Sequence, residues 1–69
     1  MARIKKSVEE ALERAEALSR EHPAQTFWVM DKPCHHAVVV GADFVHRERV
    51  LEHWDTVAVV RGGVVVRAG

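Results

Sequence analysis

The stretch DTVAVVRGGVVVRAG, residues 55–69, leaves its backbone little choice. Valine branches at Cβ, which favours extended, pleated backbone over helix. Gly62–Gly63, between the two valine runs, supplies the positive φ angles that a two-residue hairpin turn requires. A tight antiparallel hairpin is expected, with Val60 opposite Val65 and Val59 opposite Val66. Arg61 and Arg67 interrupt what would otherwise be an aggregation-prone apolar segment.

Most of the thirteen valines lie after residue 37, whereas alanine, leucine and glutamate crowd into the first part of the chain. The sequence therefore reads as a helix followed by a valine-rich sheet, with no linker, repeat or low-complexity segment between them. In SVEEALERAEALSRE, Ser7 is the expected N-cap, and Glu10 three residues on can close a capping box. Ile4, Val8, Ala11, Leu12, Ala15 and Leu18 fall on one helical stripe. Glu10–Arg14 and Glu16–Arg20 are i,i+4 pairs in the favourable acid-first order. Lys5 and Lys6 need only a solvated face. Pro23 disfavours helical geometry at His22 and ends the helix near Glu21.

The next segment, QTFWVMD (residues 25–31), alternates Thr26, Trp28 and Met30 with Phe27, Val29 and Asp31. Both faces of this strand carry large apolar groups, and one helix shelters one face. A second strand is expected over HAVVVGA (residues 36–42). Lys32–Pro33–Cys34 reverses the chain between them, with Asp31 placed to accept hydrogen bonds from the turn amides. ADFVHRERVLEHW (residues 42–54) suits a short helix beginning between Asp43 and His46, capped by Asp43 and turning Val50, Leu51 and Trp54 inward. The alternative extends the second strand through Val45. The expected architecture is a single α+β domain over residues 1–69. An N-terminal helix packs on an antiparallel sheet of about four strands, in the order α-β-β-α-β-β.

A chain of 69 residues buries only about 60% of its unfolded surface, so its core is small. Small domains compensate with disulfides, metals, self-association or unusually tight packing. The single cysteine excludes an internal disulfide. Ten basic and ten acidic side chains cancel, which argues against a general polyanion binder. No apolar stretch approaches the roughly 20 residues that span a bilayer. The opening MARIKKSVEE has charge without an apolar core behind it and is not a secretory signal. The expectation is a cytoplasmic protein without a membrane role.

Residues that could do chemistry gather in DKPCHHAVVVGADF (residues 31–44). Metal ligands must converge on one point, but neighbours on a strand, such as His35 and His36, face opposite ways. His46 and His53 lack the i,i+4 spacing common in helical histidine pairs. A catalytic thiol needs a base and an electropositive setting, and no third group that would orient a Cys34–histidine pair can be assigned. RGG and VGAD fit neither a P-loop nor a dinucleotide fingerprint. No enzyme activity, metal or cofactor is expected.

The run SVEEALERAEALSREHPAQTFWVM resembles the opening of many small phage and prophage α+β proteins, in which an amphipathic helix ends at a proline and leads into an aromatic strand. The resemblance ends at Met30. It implies a small non-enzymatic protein that binds a host or phage component, as anti-CRISPR inhibitors do, and it transfers no residue roles. The apolar surplus of the strands points the same way, because uncovered apolar surface marks interaction sites. Trp28, Met30 and Trp54 are the expected anchors and Arg47 and Arg49 the polar rim, since interface hot spots favour Trp and Arg. The partner is expected to be another protein or a second copy of the chain. The rival reading is a nucleic-acid-binding module that gathers Arg47, Arg49, Arg61 and Arg67 around a stacking Trp28 or Trp54. Glu48 and Glu52 dilute that positive field.

Overall fold

A computed structural model describes residues 5–68. The elements are α1 (Lys6–Glu21), β1 (Thr26–Asp31), β2 (Val38–Gly41), α2 (Arg47–His53), β3 (Asp55–Arg61) and β4 (Val64–Ala68). The strands form one four-stranded sheet in the order β2-β1-β3-β4, with every neighbouring pair antiparallel. The fold is α+β.

Helix α1 packs on one face of the sheet. Its buried line is Val8, Ala11, Ala15 and Ser19, and Leu12 and Leu18 flank it half-buried. The small side chains of Ala11, Ala15 and Ser19 recur every fourth residue, so they stack on one side of the helix. They let it sit close against Phe27, Val29, Ala58 and Val60 of the sheet. The expected stripe is thus present, except that Ile4 lies outside the described residues. The expected cap is corrected: the helix begins one residue before Ser7, and Lys5 occupies the N-cap without a side-chain cap bond. The Val8 and Glu9 amides both donate to the Lys5 carbonyl, at 3.0 and 3.2 Å, which draws Ser7 into the first turn. Lys5 Nζ also reaches Asp31 Oδ1 and the Lys32 carbonyl, each at 3.3 Å. Lys5 and Lys6 both lie exposed, as expected, and Lys5 in addition ties the helix start to the β1–β2 turn. The helix ends at Glu21 as Pro23 requires, and the His22 amide closes the last turn on the Leu18 carbonyl at 2.9 Å.

Strands β2 and β3 both run antiparallel to β1 and are therefore parallel to each other. The connection through α2 must cross β1 to join them. It crosses on the face opposite α1, because the Arg47 guanidinium lies 5.8 Å from the Trp28 ring centre and Trp28 points away from Phe27 and Val29. Helix α2 is a loose cover: none of its residues is buried, and Val50, Leu51 and Trp54 are half-buried. Neither Asp43 nor any other side chain caps it; the N-cap is His46. Val45 is 88% exposed in the turn before the helix, so β2 stops at Gly41.

The hairpin turn forms as expected, with φ of 61° at Gly62 and 81° at Gly63. Val60 lies opposite Val65, but Val59 faces Arg67 rather than Val66. The register shifts between Val59 and Val60, which leaves Val66 as the extra residue of a β-bulge. Such a bulge increases local twist and blunts an edge strand. A second bulge lies in β3 at Val57, where Val29 pairs with Ala58 and Met30 with Thr56.

Candidate functional site

The turn between β1 and β2 is built on Pro33 and Cys34. The His35 amide donates to the Lys32 carbonyl at 3.1 Å, and Cys34 has a φ of 64°. Proline followed by a residue of positive φ is the pattern of a type II turn, whose third position normally takes glycine or asparagine. The turn amide bonds within the turn while Asp31 accepts from Lys5, so the expected bonds from the turn amides to Asp31 are replaced by an ion pair. Cys34, His35 and His36 are all exposed. They line a shallow depression of about 380 Å³ together with Lys5, Lys6 and Ser7. Among the described residues, no three His, Cys, Asp or Glu side chains converge as metal ligands would. A wider cleft of about 480 Å³ runs between α1 and the β2 edge, floored by Ala11, Leu18, Ala37 and Val39 and rimmed by Glu10 and Arg14.

The five expected interface residues are distributed unevenly. Met30 is completely enclosed, at 0% exposure, and its sulfur accepts a 3.5 Å contact from Thr56 Oγ1. It offers no surface to a partner. Trp28 is half-buried between Val40 and Val59 of the flanking strands, and Arg47 lies over its ring. Arg47 is held there by a 2.8 Å hydrogen bond to the Ala42 carbonyl, so it serves as an internal cover rather than a free rim. Trp54 lies at the far end of the sheet, with the His35 ring 5.6 Å away and Lys32 Nζ at 5.9 Å. Arg49 is exposed on α2. The structure thus brings Arg47 onto Trp28 and encloses Met30 beneath the surface.

Besides Phe44 and Val45 in the turn before α2, the apolar surface that stands open is β4. Every residue of this strand is exposed, including Val64 at 59%, Val65 at 42% and Val66 at 58%. It is an edge strand, with β3 on one side only. Both φ angles of the Gly-Gly turn are positive, as in a type I′ hairpin. In such a hairpin the closing pair, Arg61 and Val64, exchanges both hydrogen bonds. Alternation along the ladder then turns the N–H and C=O of Val65 away from β3. The pairing also assigns the two faces. Val65 shares the α1 side with buried Val60, while Val64 and Arg67 share the other side with Arg61 and Val59. Three consecutive valines at one end of the chain are the sequence signal for this site, because they make both faces of a strand apolar when one would suffice for a core.

No helix among the described residues is long and apolar enough to cross a membrane. No family model, curated protein or solved structure matches the chain.

Proposed function

We propose that this protein is a small non-enzymatic binding module that acts by docking onto another protein, of the inhibitory kind encoded by phages and other mobile elements. The observation that carries this reading is β4, an edge strand with three adjacent valines exposed. Unpaired strand edges recruit other chains, and natural proteins usually shield them. Within β4 itself, among the described residues, the shielding is one bulge and one charge, Arg67. The nucleic-acid reading draws on the exposed arginines Arg49, Arg61 and Arg67, but both indole rings are engaged by side chains of the protein itself. Bases would have to displace those contacts before stacking.

The test is affinity capture from a host extract with the wild-type protein and with Val65→Lys, both checked for native unfolding transitions. A protein recovered by the wild type and lost by the variant supports the reading. Recovery of the same set by both removes β4 from the interface. Repeating the capture at rising salt separates the alternatives, because phosphate contacts weaken steeply with salt and apolar docking does not.

A further inference from the structure

We infer that the β4 edge accepts an extended segment of another protein in which apolar and acidic residues alternate. This inference rests on the protein-binding reading above and specifies the chemistry of the partner. Three observations lead to it. The first is backbone geometry: the outward N–H and C=O of Val65 can pair with an incoming strand, and main-chain pairing of this kind supplies affinity without a preformed pocket. The bulge at Val66 confines that pairing to a short segment, which suits a peptide better than a long flat sheet.

The second is the division of chemistry between the two sides of the edge. On the α1 side the edge presents Val65, next to buried Val60, and on the other side Val64 and Arg67. An added strand projects successive side chains to opposite faces. Every second residue would therefore lie beside Val65, and the residues between them beside Arg67. Apolar groups suit the first set and carboxylates the second.

The third is the charge around the edge. Arg20 lies against the hairpin turn, close to Gly63, and Arg67 stands on β4 itself, whereas the Arg61 guanidinium donates to the Ala24 carbonyl at 3.2 Å, beside the start of β1. Among the described residues, the carboxylate paired there is Glu16, which contacts Arg20 at 3.8 Å, and β4 itself has no acid. A positive edge favours an acidic partner and disfavours cationic ones. The same charges count against a second copy, because antiparallel pairing of two β4 strands about a two-fold axis would place the arginines of both copies on one face. They attract nucleic acid too, but neither tryptophan lies in β3 or β4 to stack a base.

The experiment uses the full chain and a labelled heptapeptide of alternating glutamate and valine, followed by fluorescence anisotropy. The expected result is saturable binding below about 1 mM, at least roughly tenfold tighter than the same peptide with lysine for glutamate. Arg67→Glu should invert that preference. Methylating the peptide backbone amides should abolish binding to the wild type, a readout that does not depend on the variant folding. No saturable binding, equal binding of the acidic and basic peptides, or indifference to backbone methylation overturns the inference. So does a dimer in sedimentation that Val65→Lys dissociates, which gives the edge to a second copy. Binding of labelled oligothymidylate that Arg67→Glu removes gives it to nucleic acid. If capture of a host protein depends on Val65 while the peptide shows no charge preference, the protein-binding reading stands and the alternating acidic partner falls.

Discussion

The Oγ of Ser19 accepts a 2.8 Å hydrogen bond from the Gly63 amide and donates one of 2.9 Å to the Glu16 carbonyl. Ser19 is completely buried, and this pair of bonds pins the tip of the β3–β4 hairpin to the last turns of α1. The exposed strand is therefore attached to the body of the protein at its turn as well as along β3. A module that offers an edge to a partner needs that edge held in place before binding, since ordering it afterwards would cost affinity.

Ser19→Ala leaves the Gly63 amide without its partner, and the higher helix propensity of alanine offsets only a few tenths of a kcal/mol of that loss. A lost hydrogen bond at a largely buried site costs about 1–2 kcal/mol, which for a domain of this size lowers the melting temperature by roughly 4–8 °C per kcal/mol. Urea unfolding of the variant should show an earlier midpoint with an unchanged slope. An unaltered midpoint would mean that water replaces the hydroxyl without loss.

The two glycines of the hairpin should respond differently to substitution. A Cβ on Gly63 would come within 2.6 Å of Arg20 Cγ, at a φ of 81°, whereas a Cβ on Gly62 meets nothing within 4 Å. Gly63→Ala combines a left-handed backbone cost of about 1–2 kcal/mol with displacement of Arg20. Gly62→Asn keeps a residue that tolerates this backbone region and should change stability by less than about 0.5 kcal/mol. Thermal unfolding of the two variants side by side checks the ranking.

Cys34 adopts a φ of 64° at a turn position that favours glycine. Cys34→Gly removes the Cβ strain of about 1–2 kcal/mol and loses part of that gain to the greater freedom of the unfolded chain. A net stabilisation of about 0.5–1 kcal/mol is expected, measured under reducing conditions so that thiol oxidation plays no part. A destabilised variant would show that the exposed thiol makes a contact worth more than the strain.

Met30 and Arg47 separate core from cover on the face opposite α1. Met30→Ala empties a fully enclosed site and should cost about 2–5 kcal/mol. Arg47→Ala removes a cation from the face of Trp28 and should cost only about 0.5–1 kcal/mol. In a Trp54→Phe background, Arg47→Ala should shift Trp28 emission to the red as water reaches the ring. An unshifted spectrum would mean that α2 shelters Trp28 without help from this side chain.

Much of the fold was legible because it depends on residues close together in the chain. The i,i+3 and i,i+4 apolar spacing from Val8 to Leu18 marks α1, and Pro23 marks its end. Gly62–Gly63 places the hairpin turn and the Val60–Val65 pair next to it. The candidate site was less legible. Trp28 and Trp54 are half-buried, consistent with more apolar surface than the helices cover. The indoles are nonetheless met by Arg47, His35 and Lys32 from other elements, and Met30 is spent inside. The valines of β4, read as part of a hairpin, remain open because that strand has a neighbour on one side alone.

Element type and turn chemistry follow from the amino-acid order, since side-chain branching, φ preference and helical spacing act over a few residues. Strand order, the register beyond the bulge at Val66, the burial of Ser19 and Met30, and the exposure of Val64 to Val66 were decided by the tertiary structure. Each depends on which distant segment arrives alongside, and local preferences contain no term for that meeting.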